Sequence, residues 1–122
     1  MANILFVDDE ENLLKVYKSY LERKGHNVVY ALKGEDGLEI LKNHKIDLLI
    51  LDLHLKEGMQ GIDVLKEAHN TYPNLTIMIL SGFGGDEDVI AKCTQLGAKK
   101  VLKKPLTLAE LKENIEKLLS LT

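Results

Sequence analysis

Five short apolar runs without polar alternation recur along the 122-residue chain, and this repetition restricts its possible folds more than any other feature. The runs are rich in Val, Ile and Leu and lie at residues 4–7, 28–31, 48–51, 76–80 and 99–103. Strands that are covered on both faces lose the alternation of apolar and polar residues, as happens in parallel sheets. The runs therefore predict five buried parallel strands.

The segments between the runs have helical periodicity. Leu14, Tyr17 and Leu21, for example, follow the spacing of one helix face. Gly25 suits the left-handed residue that ends a helix, and Thr107 begins a capping-box pattern before the last helix. This alternation predicts an α/β fold. It is a (βα)5 doubly wound parallel five-stranded sheet of order 2-1-3-4-5, a flavodoxin-like three-layer sandwich forming one domain over residues 1–122.

Composition narrows the functional classes. The chain is 45% hydrophobic and 29% charged, and its net charge of −3 gives no reason to expect nucleic-acid binding by this chain alone. The single cysteine, Cys93, cannot form an internal disulfide and lies on an apolar helical stripe, so we expect it in the core. No apolar run approaches the roughly 20 residues that span a bilayer, and no signal peptide precedes the first strand. We expect a cytoplasmic protein without a membrane partner.

Polar side chains stand at the carboxyl ends of four of the predicted strands. Asp8 and Asp9 follow the first, Asp52 the third, Ser81 the fourth and Lys104 the fifth. These ends share one edge of a parallel sheet, where such sheets bind ligands, so the five side chains should converge.

Carboxylates crowded in this way repel one another unless a cation lies among them, and Mg²⁺ prefers carboxylate and phosphate oxygens. Asp9 alone would more simply cap the first helix. Taken with the other three strand ends, the acids instead predict a Mg²⁺ site formed by Asp8, Asp9 and Asp52. Asp52 is the predicted nucleophile for a phosphoryl group, with Ser81 and Lys104 contacting the phosphoryl oxygens.

The chain resembles the receiver domains of two-component response regulators over nearly its whole length. The matching segments are ILFVDDE at 4–10, DLLILDL at 47–53, Ser81-Gly82 and LKKPL at 102–106. The resemblance implies that Asp52 accepts a phosphoryl group from a histidine kinase or phosphotransfer protein, without turnover of external substrates. It also implies a downstream output protein or domain as partner, a metal contact from the backbone carbonyl of His54, and a cis bond before Pro105.

Three positions depart from the usual pattern of that family. Val101 occupies the place, three residues before the key lysine, where the family usually has Tyr or Phe. Lys56 stands four residues after Asp52, where the family commonly has Pro. The loop after Asp52 also looks one residue longer than usual, and Gly58 would absorb the extra residue. We therefore expect an output switch that works without an aromatic side chain.

Two other classes remain as alternatives. A Mg²⁺-dependent phosphotransferase or phosphatase with an aspartate nucleophile would have Asp-x-Asp after its first strand, where this chain has Asp8-Asp9. The residue two after Asp52 is His54 and not Asp. A degenerate flavodoxin-like binding module predicts neither the acidic pair nor the Lys-Pro segment.

Phe83 and His54 could flank a phosphoryl group and slow its hydrolysis. The chain is either a stand-alone receiver or part of a longer regulator.

Overall fold

Strands and helices alternate without interruption in the computed structural model, which describes residues 2–82 and 87–120. The strands are β1 (Asn3–Val7), β2 (Asn27–Ala31), β3 (Leu48–Asp52), β4 (Thr76–Ser81) and β5 (Lys100–Lys103). The helices are α1 (Glu11–Arg23), α2 (Gly34–Asn43), α3 (Gly61–Thr71), α4 (Glu87–Gln95) and α5 (Leu108–Ser120). Each predicted strand and helix is present.

The sheet is parallel throughout and has the order β2-β1-β3-β4-β5, as predicted. Every residue of the central strand β3 is buried, as expected for a strand covered on both faces. β5 begins at Lys100, one residue later than the sequence pattern predicted. The Ala98 N–H completes the turn after α4 by donating to the Cys93 carbonyl at 3.0 Å, and the Lys99 N–H already donates to the Ile77 carbonyl of β4 at 2.8 Å.

Two apolar layers enclose the sheet and make the fold a three-layer sandwich. One layer packs α2, α3 and α4 against side chains such as Leu5, Leu49 and Ile77. The other packs α1 and α5 against side chains such as Ile4 and Phe6 on the opposite face. Alternate residues of β1 thus point to opposite layers, as strand geometry requires. Cys93 is fully buried in the first layer, which confirms its predicted place in the core.

The predicted helix boundaries have the expected local chemistry. Gly25 and Gly97 have φ values of +96° and +114°, which a residue with a Cβ rarely adopts. Thr107 and Glu110 form a reciprocal capping box, in which each backbone N–H donates to the other side chain at 3.0 Å. Within residues 2–82 and 87–120, no helix has both the length and the apolar character needed to cross a membrane.

Candidate functional site

Three carboxylates meet at the carboxyl edge of the sheet, where the sequence predicted them. One oxygen atom from each of Asp8, Asp9 and Asp52 lies within 4.8 Å of the other two. Asp8 and Asp52 are only 2% and 6% exposed, and Asp9 is half-buried. Acids this close and this buried are a donor set that suits a hard divalent cation.

Strand register explains why these acids meet. β1 and β3 are neighbours, and Val7 pairs with Leu51, so Asp8, just after β1, and Asp52, the last residue of β3, lie at the same level of the sheet edge. The Asp8 N–H still donates to the Ala31 carbonyl of β2 at 3.2 Å, which holds the first acid against the sheet. The pairing of β1 with β3 is also the topological switch point, where open α/β sheets form their ligand crevice.

Lys104 reaches the same place from the end of β5. Its Nζ lies 2.7 Å from Asp8 Oδ2, 3.3 Å from Glu10 Oε1 and 3.4 Å from Asp52 Oδ2. The backbone N–H of Lys104 donates to the Ser81 carbonyl at 2.8 Å, and the bond to Pro105 is cis, as the resemblance implied. The lysine is thus a shared counter-ion for the acidic cluster.

Opposing effects act on the pKa values of Asp52 and Lys104. Burial raises the pKa of Asp52, the N–H of His54 lowers it, the charge of Asp8 raises it, and Lys104 lowers it, leaving the pKa above its ordinary value. Burial by itself would lower the pKa of Lys104. The hydrogen bond and charge of Asp8 outweigh this effect and hold the lysine pKa above its usual range. Lys104 is therefore charged, and it compensates only part of the repulsion at Asp52.

Asp9 does not cap α1. The helix is preceded by Glu10, and no side chain there makes a capping hydrogen bond. Asp9 Oδ2 instead accepts a hydrogen bond of 2.7 Å from the backbone N–H of Lys56, in the loop between β3 and α3. The simpler interpretation of this acid, as a helix cap, is therefore wrong.

Ser81 and His54 are the remaining predicted site residues that the structure describes, and they differ in what they contribute. Ser81 is fully buried at the end of β4. The His54 backbone N–H donates to Asp52 Oδ1 at 3.1 Å, while its side chain is exposed and lies outside the carboxylate cluster. A metal contact from the His54 carbonyl stays a prediction. Phe83, proposed to shield the phosphoryl group, lies outside the described residues.

Sequence reasoning missed the connections of the β3–α3 loop, residues 53–60. Gly58 does adopt a positive φ, +73°, as its proposed role in the longer loop requires. Next to it, the Met59 N–H donates to Glu35 Oε1 of α2 at 3.0 Å, which ties the loop to a second helix. The Glu10 contact with Lys104 was also missed, although the third acid of the DDE segment at 8–10 was a signal for it.

Comparison with known proteins agrees with this geometry. The family model described as the response regulator receiver domain matches residues 4–116. The chain is 37% identical over 105 residues to the transcriptional regulatory protein GlrR of Escherichia coli, covering 86% of this chain and 23% of GlrR. It is 31% identical over 120 residues to the response regulator SaeR of Staphylococcus aureus, covering 98% of this chain and 51% of SaeR. The chain thus spans a quarter to a half of these relatives.

Solved structures give the same result for the fold. A CheY-like receiver domain protein from Methanospirillum hungatei has a TM-score of 0.90 at 29% identity, over 98% of this chain and 95% of that one. A receiver domain protein from Clostridium thermocellum has a TM-score of 0.88 at 32% identity, with the same coverage. Sheet order, acidic cluster and family match agree, and the chain belongs to the response regulator receiver domain family, whose members act as phosphorylation switches.

Proposed function

We propose that Asp52 is the residue of this receiver that accepts the phosphoryl group, from a phosphohistidine of a histidine kinase or phosphotransfer protein. The observation that carries the assignment is the position of Asp52 at the end of β3, 3.4 Å from Lys104 and within the acidic cluster. Its side chain is largely buried but faces this edge of the sheet, where Asp8 and Asp9 also lie.

In the proposed step, an Asp52 carboxylate oxygen attacks phosphorus and forms a P–O bond as the P–N bond to the donor imidazole breaks. The imidazole leaves with the bonding electron pair and is neutral because its other ring nitrogen carries a proton. Lys104 lies close enough to supply positive charge to the phosphoryl oxygens. We assign the Ser81 hydroxyl to a phosphoryl oxygen as well. The product is an acyl phosphate on the domain itself, so no external substrate is turned over.

A metal ion fits this donor set, because three crowded carboxylates with one lysine leave negative charge uncompensated. We assign Mg²⁺ to Asp8, Asp9 and Asp52, with the His54 carbonyl as a further oxygen ligand. When bound, Mg²⁺ would neutralise the incoming phosphoryl oxygens. Asp8 and Asp9 would then hold the cation, and Lys104 would offset negative charge at the site.

Phosphorylation would change the affinity of the domain for a downstream partner. GlrR is described as a transcriptional regulatory protein and SaeR as a response regulator, and both are longer than this chain. We therefore propose an output protein or output domain as the reader of the phosphorylated state.

A labelling experiment tests the assignment. The protein is incubated with Mg²⁺ and a small acyl phosphate donor, and the adduct is mapped by mass spectrometry under mildly acidic conditions. We expect one base-labile phosphoryl group on Asp52, absent in Asp52→Asn and retained in Asp63→Asn, which changes an exposed acid of α3. Equal labelling of wild type and Asp52→Asn would contradict the assignment.

A further inference from the structure

The Lys56 backbone N–H contacts a metal-site carboxylate from a distant part of the chain. It donates to Asp9 Oδ2 at 2.7 Å, a short distance for a bond from nitrogen to a charged oxygen. The two residues are 47 positions apart. A proline, common in the family at the position of Lys56, has no N–H and could not make this bond.

The peptide unit that carries this N–H is held at both ends. Its carbonyl, from Leu55, accepts a hydrogen bond of 2.9 Å from the Gln60 side-chain amide, while its N–H donates to Asp9. Leu55 itself is only 4% exposed, so its side chain fixes the same peptide from the core. Three residues further on, the Met59 N–H is bound by Glu35. The donor to Asp9 is thus positioned before any ligand arrives.

We propose that the Lys56 amide orients the Asp9 carboxylate for the metal and raises the affinity of the site for Mg²⁺; this inference rests on the proposed function. A carboxylate offers about four lone-pair sites, so one hydrogen bond at Oδ2 leaves Oδ1 free to bind a cation. Carboxylate ligands of metals are themselves held by hydrogen bonds, and losing such a partner commonly lowers metal affinity 10- to 100-fold. Lys56 would therefore be a positioning residue that acts through its backbone.

Two substitutions at one position separate the backbone from the side chain. Lys56→Pro removes the N–H, and Lys56→Ala removes the ammonium but keeps the N–H. We expect the dissociation constant for Mg²⁺, measured by calorimetry on the unphosphorylated protein, to rise about 10-fold or more in Lys56→Pro. It should be unchanged within about twofold in Lys56→Ala. Equal affinity in both variants and wild type, or tighter binding in Lys56→Pro, would overturn the inference.

A third variant shows whether loss of the N–H or distortion of the loop by the proline ring weakens Mg²⁺ binding. Replacing the amide at position 56 by an ester removes the N–H without a ring, and it should weaken Mg²⁺ binding in the same direction as Lys56→Pro. Gln60→Ala, which frees the Leu55 carbonyl, should give a smaller loss. An ester that binds Mg²⁺ like wild type contradicts the proposal even if Lys56→Pro fails to fold.

Amide hydrogen exchange tests the hydrogen bond itself without metal. The Lys56 amide should be protected in wild type and lose protection in Asp9→Ala, whereas the Met59 amide should stay protected because Glu35 holds it. Mg²⁺ binding by these variants distinguishes failure of the Lys56 inference from failure of the metal assignment. If wild type binds Mg²⁺ and Asp9→Ala does not, but Lys56→Pro binds normally, only the inference fails. If wild type binds no Mg²⁺, the metal assignment and the inference both fail.

Discussion

At the scale of single residues, folding brings more negative than positive charge into the site. Asp8 and Asp52 are nearly fully buried, and Lys104 lies closer to Asp8, at 2.7 Å, than to Asp52, at 3.4 Å. The lysine therefore compensates Asp8 better than Asp52, and burial leaves the pKa of Asp52 raised. Such a carboxylate is destabilising in the metal-free protein and becomes favourable when a cation binds beside it.

Asp52→Asn should therefore stabilise the metal-free protein at neutral pH. The folded state holds the Asp52 proton more tightly than the unfolded state, so stability falls as pH rises from the ordinary carboxyl pKa through the raised folded pKa. The gain from Asp52→Asn should be on the order of 1 kcal/mol at pH 7, about 3–6 °C in Tm, and should vanish below that window. Thermal melts of both proteins in EDTA from pH 3 to 8 measure it.

Asp63→Asn is the matched control, because this exposed acid lies in the first turn of α3, where a negative charge favours the helix. It should be neutral or slightly destabilising at pH 7. An Asp52→Asn protein that melts at or below the wild-type temperature across the whole pH range would contradict the charge argument.

At the scale of secondary-structure elements, the β3–α3 loop carries the links between the acids and the helices. It begins directly after Asp52, bonds Asp9 through Lys56, and bonds Glu35 of α2 through Met59. It ends where α3 packs closely on the end of β3. A Cβ built on Gly61, the first residue of α3, would lie 2.4 Å from the Asp52 carbonyl oxygen and 2.6 Å from the Leu53 Cα. Only glycine allows this approach.

Gly61→Ala should thus destabilise the protein, although alanine is the better helix former. The obstacle is backbone rather than the end of a flexible side chain, so the start of α3 must move, at a cost of about 2–3 kcal/mol. Because the movement acts on the loop after Asp52, labelling of Asp52 should also slow. Urea unfolding and a labelling time course measure the two effects.

Glu67→Ala serves as the control in the same helix, since Glu67 is exposed and the change should fall within about 0.5 kcal/mol. A Gly61→Ala variant as stable as Glu67→Ala would show that the approach of α3 to β3 is not restrictive.

At the scale of the whole molecule, the question is how a change at Asp52 reaches a partner surface. Ser81 ends β4 in the core, and α4 follows it along the chain with Cys93 fully buried. Val101 of β5 is half-buried and packs against the same apolar layer as α4. A β-branched side chain has few rotamers and is too short to swing from a buried to an exposed position. The conformational change is therefore expected in the backbone after β4 and in α4.

A beryllofluoride mimic of the phosphoryl group tests this expectation. In the presence of Mg²⁺, we expect larger amide shifts at Ser81, Gly82 and across α4 than at Val101. From the sequence, Gly82, Gly84 and Gly85 should make the segment after β4 deformable, but Gly84 and Gly85 lie outside the described residues. The Asp52→Asn protein is the control and should show no shifts with the same reagents. A largest change at the Val101 side chain, with Ser81 and Gly82 unmoved, would show that this route is wrong.

The sequence by itself determined the architecture and the edge at which the polar residues gather. Periodicity is a local property, and apolar runs such as 48–51 identify buried parallel strands wherever they occur. Parallel strands present their carboxyl ends on one side, so Asp8, Asp52 and Lys104 had to share an edge once the strands were recognised. Gly25 and the Thr107 capping box were equally readable, because their chemistry depends only on near neighbours in the chain.

Only the tertiary structure decided which groups pair at that edge. Lys104 lies 2.7 Å from Asp8 and 3.4 Å from Asp52, a difference that depends on how the strand ends and the lysine side chain pack together. The bonds from Lys56 to Asp9 and from Met59 to Glu35 join residues 47 and 24 positions apart, through a loop without a repeating pattern. Every residue except proline carries the same backbone N–H, so the residue type does not show which N–H will bond to a distant side chain. The direction of that N–H follows from dihedral angles that only the packed loop fixes.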